Sequence, residues 1–321
     1  MQVSKGGTIR RALTWVVGCV PLAACAQSID VLWYTYAHPR SIYIQTIQKI
    51  ADAAHSLPRS SGLRWKVTFF GPGSPAPAFA KYNVLVVQSG EAHHTAEYLP
   101  YFGYVDPEKQ RIPPDYSGIL KNRAAIAAAR GDRTFISGSD ADVHAINGDT
   151  GNAPADPHGR IERVTCHPSI TGRSCWDGAL GHLVNAVNWA GSGRGLGIVS
   201  LVAAEFPGSY WWLDRQSFLR DELSGFVTIW APERKRENNP VIPAAAQGYA
   251  LNSNLTSKGL GNWNISFHAG FSHSIPGYAP IVDSTLYANT AVAIATAKYA
   301  GAAAAGRKPT SPAAGRSSRR D

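Results

Sequence analysis

Apolar positions in the first part of the chain switch between two spacings. The β-branched and aromatic run IDVLWYTY at 29–36 predicts a strand. From 41 to 55 the apolar residues Ile44, Ile47, Ala51 and Ala54 recur at helical spacing. A second strand is predicted at 65–70, closed by Gly71, Pro72 and Gly73. A third, at 82–87, is the continuous apolar run expected of a strand buried on both faces. The Ala-rich stretch 116–130 predicts a helix, 133–137 a short strand, 177–190 a helix stopped by Gly191 and Gly193, and 196–202 another buried strand. This alternation predicts an α/β chain, an open and mostly parallel sheet with helices on both faces. After Phe226 the pattern changes. Strands are predicted at 226–230, 248–251 and 292–296, separated by loops rich in Asn, Ser, Pro and Gly. They form a C-terminal strand and loop extension that either lengthens the sheet or decorates its edge. No internal repeat is seen.

The ends of the chain read differently from its body. Lys5, Arg10 and Arg11 precede an apolar stretch at 12–24, and small residues gather at Ala24, Cys25 and Ala26. That is the three-part pattern of a secretion leader over residues 1–26. The apolar run is shorter than the roughly 20 residues that span a bilayer. Two processing routes stay open. A small-x-small cut before Gln27 would release the protein. Alternatively, LAAC at 22–25 resembles a lipobox, which would make Cys25 a lipidated first residue and the only link to a membrane. At the other end, 306–321 carries Ala, Gly, Pro, Ser and Arg without periodicity and is expected to be a disordered basic tail. Residues 27–305 are left as a single α/β domain.

Charge follows the same division. Of the formal net charge of +9, most sits in the leader and in the tail, where Arg307, Lys308, Arg316, Arg319 and Arg320 face only Asp321. The body is close to neutral, so the basic balance does not point to a nucleic-acid partner. Beyond the leader the cysteines are Cys166 and Cys175, closing the short loop CHPSITGRSC. In an oxidising compartment they read as a disulfide, and their spacing around His167 matches no common zinc pattern.

In open α/β sheets ligands bind beyond the carboxyl ends of the strands. The polar residues predicted there are His38 after the first strand, Glu91 and His93 after the third, and Asp140, Asp142 and His144 after the fourth. These six are the candidate ligand-binding residues. Asp140, Asp142 and His144 alternate, so an extended backbone would put them on one face, fit for a divalent metal or for a base and its orienting acid. The plainer reading of the same residues is an Asx turn with a helix cap. Ser139 with His144 is a further pairing, although GSD at 138–140 lacks the second glycine of a nucleophile elbow. His268, His273 and Asp283 lie in a late loop that either folds over this edge or rims it. Trp211, Trp212 and Trp263, the last flanked by Asn262 and Asn264, offer either aromatic surface for sugars or core.

Some of these stretches resemble known proteins. VLWYTYAHPRSI at 31–42 resembles the first strand and following histidine of trehalose-utilisation-type proteins, within the class I glutamine amidotransferase-like fold. RGDRTFISGSDADVH at 130–144, WDG at 176–178, LVNAVNWAGSG at 183–193, LGNWNISFHAG at 260–270 and SIPG at 274–277 resemble a group of exported bacterial proteins, often bearing PEP-CTERM sorting signals. The resemblance implies the amidotransferase-like fold over most of 29–285. It does not imply the reaction: glutamine-hydrolysing members use a Cys-His-Glu triad, and no cysteine stands at an elbow here. The apolar helix of the sorting signal is also missing before the Arg-rich end.

Together these readings lead to an exported envelope or secreted domain that binds a small polar or carbohydrate ligand, without amidotransferase activity. A metal-assisted secreted hydrolase using Asp140, Asp142 and His144, and a structural envelope protein, are the alternatives.

Overall fold

The computed structural model describes residues 28–37, 39, 41–57, 63–89, 114–151, 176–202, 209–230, 237–261, 263 and 267–301. The leader with Cys25, the tail, His38, Glu91, His93, Cys166 and Cys175 lie outside these residues.

The fold is α/β, built on one open, nine-stranded mixed sheet. Its parallel half runs β1 (Ser28–Tyr34), α1 (Ile42–Ala53), β2 (Arg64–Phe70), β3 (Val84–Val87), α2 (Ser117–Lys121), α3 (Arg123–Ala129), β4 (Arg130–Ser137), α4 (Ala141–Asn147), α5 (Ala179–Gly191) and β5 (Leu196–Ser200). The antiparallel half adds β6 (Val227–Ile229), β7 (Ala269–Ser272), β8 (Tyr278–Asp283) and β9 (Thr290–Thr296). The strand order is β2-β1-β3-β5-β4-β9-β7-β6, with β8 on the other edge of β9. The late strands therefore lengthen the sheet. β9 pairs β4 through Phe135–Ala295 and Ser137–Ala293, and β7 through Phe271–Ala291.

Local chemistry explains the elements. α1 starts where Ser41 Oγ accepts from Ile44 N, and it buries Ile44, Ile47, Ile50 and Ala51 against the sheet. α5 is buried on every side, which suits its nearly continuous apolar sequence. Each of its two buried amides reaches another element: Asn188 Oδ1 accepts from Trp65 Nε1 at 2.7 Å, and Asn185 Nδ2 donates to Ser253 O at 2.7 Å. β5 approaches α5 so closely that a methyl group on Gly197 would lie 2.3 Å from the Ala190 carbonyl oxygen.

Two expectations are corrected. The stretch 248–251 is no strand: successive bonds from Tyr249 N to Ala246 O and from Asn252 N to Tyr249 O wind it into 3-10 turns. The helix expected at 116–130 is two helices. It breaks at Asn122, whose side chain donates back to Gly118 O at 2.8 Å, and β4 already begins at Arg130. Strands β7 and β8 were not anticipated. Among the described residues no helix is long and apolar enough to cross a membrane.

Candidate functional site

β1 lies between β2 and β3, so the carboxyl ends of β1 and β3 form the switch point of the sheet, the place where open α/β sheets bind ligands. Residues 35–37 and 88–89 follow these two strand ends. Thr35 Oγ1 hydrogen-bonds Gln88 Oε1, Tyr36 OH donates to Ser89 O at 2.9 Å, and Tyr116 OH donates to Gln88 O at 3.1 Å. Asp142, in the first turn of α4, reaches into the same place. Its Oδ2 accepts from Tyr43 OH at 2.6 Å and from Ser89 N at 3.0 Å, and Tyr43 OH in turn accepts from Trp33 Nε1 at 3.2 Å. Asp142 is fully buried, yet its Oδ1 has no hydrogen-bond partner among the described residues. Burial and the nearby Asp140 charge push the Asp142 carboxyl above its ordinary value, against the pull of the Tyr43 and Ser89 donors.

One turn away, Asp140 and His144 face a different set. α4 starts at Ala141, so Asp140 and His144 stand four apart on one helical face and Asp142 turns toward α1. The extended backbone that would have aligned all three is absent. Asp140 is the N-cap residue, as the plainer reading has it, but its side chain caps no amide. Instead Asp140 Oδ1 lies 3.1 Å from His144 Nε2, in ion-pair range without hydrogen-bond alignment, and accepts from His268 Nε2 at 3.2 Å. His144 Nδ1 donates to Asp149 Oδ2 at 2.7 Å. Burial disfavours charge on His144, but Asp140 and Asp149 outweigh it and push the imidazole up to about 10, so it is an imidazolium at neutral pH. Burial likewise raises Asp140, and the two imidazoles more than reverse that, holding it well below the carboxylate range.

His268 reaches this place because β7 abuts the end of β4. His268 N donates to Gly138 O at 2.6 Å, and a methyl group on Gly138 would sit 2.1 Å from Ala269 O. A carboxylate only accepts, so His268 Nε2 carries a hydrogen toward Asp140; its buried Nδ1 has no hydrogen-bond partner among the described residues. Of the other late-loop residues, His273 pairs with Asp283 at 3.0 Å on the surface, away from this cluster.

The Ser139–His144 pairing does not form. Ser139 Oγ bonds Ser137 Oγ at 2.8 Å, and Ser137 Oγ bonds His182 Nε2 at 3.1 Å. His182 sits in a box of Phe135, Trp263 and Phe267, where burial pushes it down to about 4. It is a neutral core histidine and a weak base. Trp211, Trp212 and Trp263 are all buried as well.

The sequence-predicted residues Asp140, Asp142 and His144 are thus neighbours at the predicted edge, but their side chains do not converge on one point. Among the described residues no group of three His, Cys, Asp or Glu could hold a metal ion. Tyr43, Asp149 and His268 complete the site. Only His268 carried a sequence signal, as one of the polar residues of the late loop expected to fold over or rim this edge. The chain matches no protein-family model, no curated protein and no solved structure.

Proposed function

We propose that the chain is an exported α/β domain that binds a small polar or carbohydrate ligand at the carboxyl edge of its sheet, without glutamine amidotransferase activity. The observation that carries this reading is Asp142. A buried acceptor left unmatched costs about 1–3 kcal/mol, and buried polar groups in proteins are otherwise matched. Asp142 has Oδ2 doubly hydrogen-bonded and Oδ1 without a hydrogen-bond partner among the described residues, at the switch point of the sheet. That is the arrangement of a site waiting for a donor. The leader pattern supports export, and the open, mostly parallel sheet is in keeping with the amidotransferase-like resemblance. No cysteine falls between residues 28 and 165, so the turns after β1, β3 and β4 offer no thiol nucleophile. The divergent partners of Asp140 and Asp142 disfavour the metal-assisted hydrolase.

Calorimetric titration of the full chain with sugars, polyols, amino acids and inorganic phosphate tests the reading. At least one should bind saturably, and Asp142→Asn should weaken it about tenfold with an unchanged circular-dichroism spectrum. Chelator should leave the melting temperature where it was. No saturable ligand, or binding indifferent to Asp142→Asn, would sink the proposal; a melting point that falls on chelation would restore the metal reading. Fractionation of producing cells tests export, which a cytoplasmic pool alone would refute.

A further inference from the structure

The five parallel strands all start at one edge of the sheet: Ser28 pairs with Arg64, Val84 with Gly197, and Arg130 with Leu196. Ser28, the first described residue, opens β1 there. β9 runs against β4 and brings the chain back to the same edge. Ala295 lies opposite Phe135, and Thr296 Oγ1 accepts from Thr134 N at 2.7 Å. A short helical turn, Ala297–Ala300, follows, and Tyr299 O accepts from Trp189 Nε1 at 3.1 Å, in the last turn of α5. Residues 1–27 and 302–321 therefore join the fold at the amino edge of the sheet, opposite the edge that carries Asp142.

Charge is divided in the same way. At the amino edge the cations Arg64, Lys66, Lys81 and Lys298 are exposed. Of the acids there, Asp132 is taken by Arg194 and Glu222 by Arg130. Lys49 and Asp52 offset each other near the end of α1. That leaves Asp221 and Asp30, which stands opposite Lys66 in the ladder. The tail that leaves this edge adds Arg307, Lys308, Arg316, Arg319 and Arg320 against Asp321. The carboxyl edge is acidic instead, holding Asp115, Asp140, Asp142, Asp149 and Asp177 beside the exposed Lys258. A lipid anchor would share the basic edge. Cys25, the lipobox cysteine of LAAC, stands three residues before Ser28, so an acyl group on it would be rooted within about 10 Å. Lipid anchors and polybasic segments act together at bilayers, each cation near an anionic surface strengthening attachment about fivefold.

We infer that the amino edge of the sheet, extended by the basic tail, is a docking face for an anionic phospholipid membrane, so that the Asp142 edge faces away from the lipid. The docking face does not depend on which ligand the opposite edge binds.

The test is sedimentation of the full chain, as recovered from producing cells, with vesicles of phosphatidylcholine alone and of phosphatidylcholine mixed with phosphatidylglycerol. Binding to the anionic vesicles should be at least about tenfold tighter, and added salt should erase the difference. An acyl group on Cys25 adds to both vesicles alike, so the difference reads the charge. Replacing the five tail cations by Gln should weaken anionic binding about tenfold or more, and Lys298→Glu about tenfold. Lys258→Glu, the same charge change on the opposite edge, should alter it little. Equal binding to both vesicles, or a tail replacement without effect, would overturn the inference. Equal losses in Lys298→Glu and Lys258→Glu would overturn the assignment of the face. The comparison of neutral and anionic vesicles needs no variant, so a variant that fails to fold does not shield the inference.

Discussion

Asp140→Ala should destabilise the folded chain by about 3–5 kcal/mol, the usual cost of removing one partner from a buried ion pair, and it should also reshape the dependence of stability on pH. Asp140 faces two imidazoles, and His144 owes much of its raised proton affinity to it. The folded value of about 10 for His144 stands above the unfolded value of about 6.5. Its contribution is therefore fully present below about pH 6.5 and is lost as pH rises toward 10. Asp142, raised by burial, adds to the loss as pH rises from about 4. Two groups act oppositely. His182, pushed down to about 4, contributes fully above about pH 6.5 and loses that contribution as pH falls through 4. Asp140, depressed, contributes above about pH 4 and is lost on further acidification. Urea unfolding from pH 4 to 10 should then show greatest stability near pH 6 to 7. The alkaline decline should be of the order of 4 kcal/mol. In Asp140→Ala that decline should flatten, because His144 keeps only Asp149. An equally steep alkaline limb in the variant would show that Asp140 does not hold the proton of His144.

The parallel half of the fold was legible because β3 and β5 are buried on both faces and α1 on one. β3 is an uninterrupted apolar run, β5 is apolar up to its closing Ser200, and α1 has one apolar stripe. Burial on one or two faces writes a period into sequence. The antiparallel half was harder to read for an equally physical reason. β7 is the four residues AGFS, and β8 carries Pro280 where its ladder with β9 shifts register. Short strands held by neighbours on a long central partner need little propensity of their own. The false strand at 248–251 shows the converse: Tyr249 and Leu251 are apolar, but they pack from a 3-10 turn pinned by Asn252 Nδ2 to Ala246 O and Ile281 O.

The site was legible in place but not in wiring. Polar residues after β4 mark the carboxyl edge whichever way the side chains turn, so Asp140, Asp142 and His144 fall where strand order puts them. Their partners could not be read. Tyr43 reads as one more apolar residue of the α1 stripe, and Asp149 as a loop acid after Gly148. The partition of Asp140 and Asp142 between two clusters depends on the helix starting at Ala141, four residues after the last pair of β4, Ser137–Ala293. A shift of one or two residues in that boundary exchanges the faces they present.

The antiparallel half hangs on one carboxylate, and Glu237→Ala should show it. Glu237 is fully buried. Its Oε2 accepts from Ser284 Oγ at 2.6 Å, Thr285 N at 2.7 Å and Leu286 N at 3.1 Å, and its Oε1 from Asn239 N at 2.7 Å. Those donors close the connection between β8 and β9. The Glu237 backbone oxygen also accepts from Phe267 N at 3.2 Å, next to His268. Truncation strands several donors in a buried place and should cost about 3–5 kcal/mol in urea unfolding. Glu237→Gln keeps one acceptor oxygen, which can turn to the Oε2 position and serve the 284–286 donors. It sets an amide against Asn239 N, beside a Thr285 hydroxyl that can turn to accept, and should cost about 1–2 kcal/mol. Amide hydrogen exchange should report the difference locally. In Glu237→Ala the amides of β8 and β9 should exchange faster, while those of β1 and β3 follow only global unfolding. β9 is the strand on which β4, β7 and β8 all pair, so its loosening should also free β7 and carry His268 away from Asp140. Equal protection of β9 in wild type and Glu237→Ala would mean that pairing with β4 alone holds the extension, and that His268 owes its place to the sheet and not to Glu237.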